Sequence, residues 1–179
     1  WVVSYNFHMP ADSLAGRLGL HTTGAVFANA QNKHAAPGIC TMSGDSLLRL
    51  YRCTGKTAYL ELLRDISHAI PQFVSLAGRR LMTWDGVFLP EGFINERVQL
   101  SDWEGRETIG EVRNGSCWPE VSMLLTYAEV PGIYADRHSG LVMALDHVDC
   151  TAQWRLDGSL ALDIHNPTRF DAEVRILVD

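Results

Sequence analysis

No run of apolar residues in this 179-residue chain approaches the ~18–20 needed to cross a bilayer as a helix. Basic clusters are equally scarce. Arg79-Arg80 is the longest, and 15 basic against 21 acidic residues leave a formal net charge of −6, which argues against nucleic acid and anionic membranes as partners. Four cysteines (Cys40, Cys53, Cys117 and Cys150) are scattered without a CxxC pair, which excludes structural zinc-finger spacing. Two disulfides remain open in an oxidising compartment, with nothing to select among three pairings; buried free thiols are the default. The seven histidines include no HExxH or HxH spacing, and no metal or other cofactor is expected. Low-complexity tracts and exact repeats are missing. An initiator Met and a charged-then-apolar leader are also missing, so the opening Trp1-Val2-Val3-Ser4 reads as the interior of a longer polypeptide.

What is present is ordinary for a globular domain, with 46% hydrophobic and 20% charged residues. Residues 1–36 resist a clear reading. Beyond Pro37, Leu47, Leu48, Leu50 and Tyr51 form an apolar helix face, and Gly55 supplies a C-terminal stop. Tyr59, Leu62, Leu63, Ile66 and Ile70 repeat at helical spacing, with Thr57 as candidate N-cap and Pro71 as a kink or late break. Helices linked this tightly predict an antiparallel αα-hairpin. No sustained period runs from Gly78 to Cys117, which predicts a long loop over 78–117. Val121, Leu124, Leu125 and Ala128 then predict a third helix that ends before Pro131-Gly132.

After that helix the period shortens. Leu141 to Leu145 is a short apolar run. Leu160, Leu162 and Ile164 alternate with other residues, as do Val174, Ile176 and Val178, and Asp157-Gly158 and Asn166-Pro167 mark turns. The expectation is a mainly α chain with β structure at its C-terminal end: helical hairpins over 1–135, then antiparallel β-sandwich strands over 136–179.

Chemistry concentrates between Asn95 and Glu120, where Glu96, Asp102, Glu104 and Glu120 share a segment with Trp103, Cys117 and Trp118. Carboxylates move protons, and flat rings stack on pyranose faces. Asp102 and Glu104 flank Trp103, so in extended backbone both point the same way. Glycosidases hold two carboxyls about 5–5.5 Å apart for retention or about 6.5–9.5 Å for inversion. Sequence neighbours rarely fill both roles, which makes Glu96 or Glu120 the candidate partner. Trp103 and Trp118 are candidate stacking platforms, and Asn95 and Arg97 candidate ligands for sugar hydroxyls. A long surface loop with buried tryptophan anchors is the plainer explanation of the same residues.

The segment Leu50-Tyr51-Arg52-Cys53-Thr54-Gly55-Lys56-Thr57-Ala58-Tyr59-Leu60 resembles a hairpin of the six-hairpin glycosidases. That resemblance implies part of an (α/α)6 toroid. A narrower similarity is to the β-L-arabinofuranosidase family, glycoside hydrolase family 127. Cys40 matches the cysteine that opens a hairpin in that family, and Cys117, with Pro119 two residues on, matches the cysteine pair that opens the next helix. The family uses a cysteine nucleophile on a zinc ion held by thiolates and a glutamate. Here the zinc-ligand glutamate falls on Gly38, the second cysteine of the pair on Trp118, and the acid of a Gly-Glu-x-Phe element on Ala25. The resemblance therefore implies the fold, with that zinc chemistry lost or replaced.

Other patterns compete. Gly115-Ser116-Cys117-Trp118 before a helix resembles the papain motif, which makes Cys117 a minor candidate nucleophile. The motif's preceding cysteine is Asn114, however, and its upstream glutamine is Glu111. Asn114-Gly115-Ser116 is formally a glycosylation sequon. Asp146-His147 with Asp149 offers ligating side chains, but a strand would turn alternate residues to opposite faces. His21 and His34 flank a loop, and Trp84 and Trp154 are assigned to packing. The resulting expectation is carbohydrate processing by carboxylate-based glycosidic hydrolysis. The alternative is a non-catalytic carbohydrate-binding or structural domain of the same descent. Carbohydrate and the remainder of a longer polypeptide are the expected partners, and bacterial export would suit such a role.

Overall fold

The computed structural model describes residues 12, 14–20, 23–27, 34–36, 44–81, 87–94, 97–99, 112–113 and 118–179. Among these, four short helices are α1 (Leu14–Arg17), α2 (Gly44–Thr54), α3 (Ala58–Ala69) and α4 (Trp118–Glu129). The strands are β1 (Val26–Phe27), β2 (His34–Ala36), β3 (Arg97–Gln99), β4 (Val112–Arg113), β5 (Ile133–Ala135), β6 (Val142–Ala144), β7 (Asp149–Trp154), β8 (Leu160–His165) and β9 (Ile176–Val178). No helix among the described residues is long and apolar enough to cross a membrane.

The expected toroid is not what the chain builds. Among the described residues α2 and α3 form a single αα-hairpin, and α4 packs back on α2 instead of continuing a ring of hairpins. Beside the helices the chain forms an antiparallel sheet in the order β1-β2-β3-β4. Its pairings are Phe27 with Ala35, Ala35 with Val98, and Val98 with Val112, joining strands from both sides of the hairpin in sequence. Strands of two or three residues are too short to carry an alternating pattern, which is why β3 and β4 are invisible within 78–117. The hairpin signature is local, and it specifies two helices without specifying their repetition.

The β-sandwich expectation is also corrected. In place of a sandwich of antiparallel strands, the described residues of the second half form a three-stranded sheet, β6-β5-β9, and a separate β7-β8 hairpin. β5 runs antiparallel to β6 but parallel to β9, so the larger of these sheets is mixed. Ile133, Tyr134 and Ala135 of β5 are all buried, as a central strand covered on both faces requires.

Helix α3 ties the molecule together. Ile66, Ala69 and Ile70 join Phe73, Leu81, Leu89 and Ile94 in one apolar cluster, while Leu60 and Leu63 join Leu48, Tyr51, Val130, Tyr134 and Leu145 in another. Gly55, at φ 68°, ends α2 with its N–H on the Tyr51 carbonyl, the left-handed stop the sequence predicts. Thr57 occupies the N-cap position of α3, but its side chain makes no capping hydrogen bond. Gly24 explains a contact that its sequence context does not announce. Its φ is +90°, and a Cβ there would stand 2.0 Å from the Asp65 carbonyl oxygen, so the chain passes directly over the α3 backbone.

The face expected of α4 is another correction. Val121 and Leu124 are largely exposed, whereas Thr126 and, beyond the helix, Val130 are buried. Cys53 and Cys150 are free, and Cys53 is exposed instead of buried. Cys40 and Cys117 lie outside the described residues.

Candidate functional site

Two helix ends arrive at the three-stranded sheet in the same place, and both end for reasons written in their sequence. Pro71 has no N–H to donate to the Ser67 carbonyl four residues back, so α3 gives way to a 3-10 turn over Ile70–Phe73. The Ser67 carbonyl accepts the Tyr127 hydroxyl instead, at 2.7 Å. At the end of α4 the carbonyls of Tyr127 and Val130 both accept from Nη2 of Arg175, at 2.6 and 2.8 Å. A guanidinium there satisfies orphan carbonyls and offsets the negative end of the helix dipole.

Pro131 and Gly132 then swing the chain into β5. The N–H groups of Gly132 and Ile133 donate to the Arg175 carbonyl, and the Gly132 carbonyl accepts from Leu145 and Asp146. A Cβ on Gly132 would lie 2.8 Å from Cγ1 of Val174, so no larger residue fits between the two strands without displacement. Between these ends lies a cavity of about 310 Å³. Pro71, Pro131 and Leu145 give it apolar wall, and Ser67, Tyr127, Asp146, His147, Glu173 and Arg175 give it polar groups.

The polar groups are unevenly satisfied. His68, next to Ser67 on α3, stacks on His147 with ring centroids 4.9 Å apart and planes tilted by 35°. Its Nε2 lies 3.1 Å from the Asp146 carbonyl, which can only accept, so that nitrogen carries the proton. Burial, with the neighbouring His147, pushes the His68 pKa down and keeps the ring neutral at physiological pH. Burial, reinforced by the Asp146 charge, holds the Tyr127 hydroxyl well above its ordinary pKa, so it remains a donor. Oδ1 of Asp146 accepts the His147 backbone N–H at 2.7 Å. By contrast, Oγ of Ser67 and Nε2 of His147 are buried with no hydrogen-bond partner. Ser67 makes no bond to either imidazole, so nothing activates its hydroxyl as a nucleophile. The arrangement suits binding by neutral hydrogen bonds better than covalent chemistry.

A second network fixes α2 to the sheet. The Tyr51 hydroxyl donates to Asp136 at 2.7 Å, Ser139 donates to the same carboxylate oxygen, and the Tyr134 hydroxyl donates to Asp179 at 2.8 Å. The two tyrosine rings meet edge to face at 5.7 Å. Hydrogen bonds from the Ser139 and Tyr51 hydroxyls hold the Asp136 carboxyl down at about 2.

Most of the residues that the sequence nominates fall elsewhere. Asn95, Glu96, Asp102, Trp103 and Glu104 lie outside the described residues. Arg97 is the first residue of β3, and Trp118 and Glu120 belong to the first turn of α4, with their side chains outside the described part. His21 and Trp84 also lie outside it, and His34 begins β2. Trp154 is half-buried, outside both apolar clusters, with Nε1 donating to the Gly140 carbonyl and Arg137 over its ring. Asp146 and His147 are not in a strand; they occupy the bend before β7, and that bend lets His147 reach the cavity. Asp149 begins β7, where it is exposed beside His165. Among the described residues no group of three His, Cys, Asp or Glu side chains is placed to hold a metal ion.

Sequence reasoning missed Ser67, Tyr127 and Arg175. The available signal was the pair of helix breakers, Pro71 and Pro131-Gly132, each of which leaves backbone groups for other side chains to satisfy. Comparison with known proteins returns no matching family model, curated relative or solved structure.

Proposed function

We propose that this protein processes carbohydrate, with hydrolysis of a glycosidic bond as its reaction. The observation that carries the reading is the grouping of Glu96, Asp102, Glu104 and Glu120 with Trp103 and Trp118 in one short stretch. Carboxylates and indoles are what acid–base cleavage and sugar stacking require. The register of the sheet adds support. Val98 pairs with Val112, so the strands that precede and follow the Asp102-Trp103-Glu104 triplet in sequence are neighbours in one sheet. In this reading Asp102 or Glu104 acts as general acid or base, with Glu96 or Glu120 as partner. Asn95 and Arg97 hold hydroxyl groups.

The test is turnover of a panel of nitrophenyl glycosides, with arabinofuranosides included, by the wild type, Asp102→Asn and Glu104→Gln. Loss of a catalytic acid or base should lower the rate by about 10²-fold or more. Unchanged rates in both variants would remove the triplet from the mechanism. A second reading, carbohydrate binding without turnover, is favoured by one observation. Ala25 stands where the resembled family carries an acid, and it is fully buried, leaving no room there for a solvated carboxylate. Saturable oligosaccharide binding with no product would select that reading.

A further inference from the structure

The cavity between the ends of α3 and α4 lies among residues that the proposed chemistry does not use. The geometry points to a second site there, one that binds a neutral, hydroxyl-rich ligand of monosaccharide size. The inference does not rest on the 95–120 segment, and either can fail without the other.

The first support is a pair of unmatched hydrogen-bonding groups in residues of the cavity wall. Oγ of Ser67 is buried without a partner in a residue that is only 1% exposed, and Nε2 of His147 is likewise buried and unpartnered. Both residues line the cavity. Native proteins seldom leave such groups unpaired, and two of them around one space define what a ligand must bring. A ligand hydroxyl both donates and accepts, so it can serve the serine oxygen and the imidazole nitrogen whichever of them holds the proton.

Charge narrows the class. Asp146 and Glu173 contribute two carboxylates, against one guanidinium from Arg175 that is already engaged with the carbonyls of Tyr127 and Val130. An anion would meet net repulsion. A neutral ligand avoids that, and Pro71, Pro131 and Leu145 offer apolar wall to the C–H faces of a sugar ring. Size narrows it again. A cavity of about 310 Å³ lies at the small end of the range for ligand sites, about 300–1,000 Å³, which suits one sugar ring and not a chain of them.

The experiment is saturation-transfer NMR on the 179-residue chain with D-glucose, D-galactose, D-xylose and L-arabinose, and with tetramethylammonium and inorganic phosphate as charge probes. At least one sugar should bind saturably and phosphate should not. Ser67→Ala should weaken that sugar by about five- to tenfold, the worth of one hydrogen bond. The same change should leave the unliganded Tm unchanged or raised, because it deletes a buried hydroxyl that has no partner. Glu173→Gln, at the exposed rim, should alter sugar affinity by less than about twofold if the ligand is neutral. Failure of all four sugars to bind overturns the site. Sugar binding indifferent to Ser67→Ala also overturns it, by moving the ligand elsewhere. Tetramethylammonium binding alone, abolished in Glu173→Gln, would replace it with a cation site, and a lowered Tm in Ser67→Ala would make that residue structural.

Discussion

Tyr127→Phe should destabilise the protein through one carbonyl, and a second substitution should cancel the effect. The tyrosine hydroxyl donates at 2.7 Å to the Ser67 carbonyl, the group Pro71 cannot serve. Removing the hydroxyl keeps the ring, its packing and its apolar area, and takes a donor from a polar group in a protein interior. Losing one partner of a buried hydrogen bond costs about 1–3 kcal/mol, more than the net worth of an average bond, because the remaining partner is stranded. Ser67 is almost wholly buried, which places the expectation in the upper half of that range, near 2 kcal/mol. Urea denaturation at neutral pH, followed by tryptophan fluorescence, measures it. The decisive variant is Pro71→Ala, which restores an N–H four residues after Ser67 and lets helical geometry satisfy the same carbonyl. In that background Tyr127→Phe should cost less than about 0.5 kcal/mol, a coupling of about 1.5 kcal/mol between positions 71 and 127. Equal costs in both backgrounds would refute the account, because the hydroxyl would then act on something other than the carbonyl freed by proline.

Gly24→Ala should destabilise by more than about 2 kcal/mol, since the added Cβ meets the Asp65 carbonyl oxygen at 2.0 Å and the backbone sits at φ +90°. A Tm lowered by less than about 3 °C would show that the two segments separate easily. Tyr51→Phe should cost about 1 kcal/mol at neutral pH, a value discounted for partial exposure of the Asp136 carboxylate. Asp136, depressed from 3.8 to about 2, contributes stability that is complete above its ordinary pKa and is lost as pH falls through about 2. The gap between wild type and Tyr51→Phe should therefore be constant above about pH 5, shrink through about pH 2 and close by about pH 1, as read from urea midpoints across pH. A gap undiminished between about pH 5 and about pH 1 would assign the effect to packing. Asp102→Asn and Glu104→Gln should leave urea midpoints within about 0.5 kcal/mol of wild type even where turnover collapses. A large loss of stability would make those acids structural.

The helical hairpin was legible because its information is local. Leu63, Ile66 and Ile70 recur at helical spacing and are buried, Gly55 forces a left-handed stop and Pro71 breaks the second helix, all within one short stretch. The sheet arrangement was not legible. β1 to β4 are two or three residues each, and the pairing of β2 with β3 joins positions about 60 residues apart, which periodicity cannot report. The parallel pairing of β5 with β9 has the same origin, since Ile133 meets Ile176 only after β6, β7 and β8 have intervened. The resemblance to six-hairpin glycosidases failed at fold level because two helices and a glycine stop are shared by many architectures. Position 71 shows where local reading ends. The proline told that a carbonyl would be freed, but nothing nearby told that Tyr127 would take it.

That same limit explains where the cavity comes from and what it can hold. A helix that runs to a natural end has its last carbonyls capped by the following turn, which closes the surface. Here α3 stops at a proline and α4 at Pro131-Gly132; local groups cap some of the last carbonyls, the Gln72 amide on His68 and the Val130 N–H on Thr126, and distant side chains, Tyr127 and Arg175, cap the others. Capping from a distance requires the elements to stand apart by the length of a side chain, and that separation leaves space between them. The space then inherits the polarity of the helix ends it separates. Its carbonyls are already satisfied by tyrosine and arginine, so the groups left to a ligand are the side chains Ser67 and His147. The chemistry of the cavity is therefore that of a hydroxyl and an imidazole beside two carboxylates, with the guanidinium already engaged, and an incoming molecule must supply hydroxyl groups and no negative charge. Arg175→Met would probe this chain of causes in one step. It removes the cap on Tyr127 and Val130 and leaves Asp146 and Glu173 as the charged lining. Stability should fall by about 1 kcal/mol, because Arg175 is exposed and water can reach part of the helix end it caps. The selectivity of the cavity should turn from neutral sugars toward cations, and a variant that lost stability without that change would uncouple the helix caps from the site.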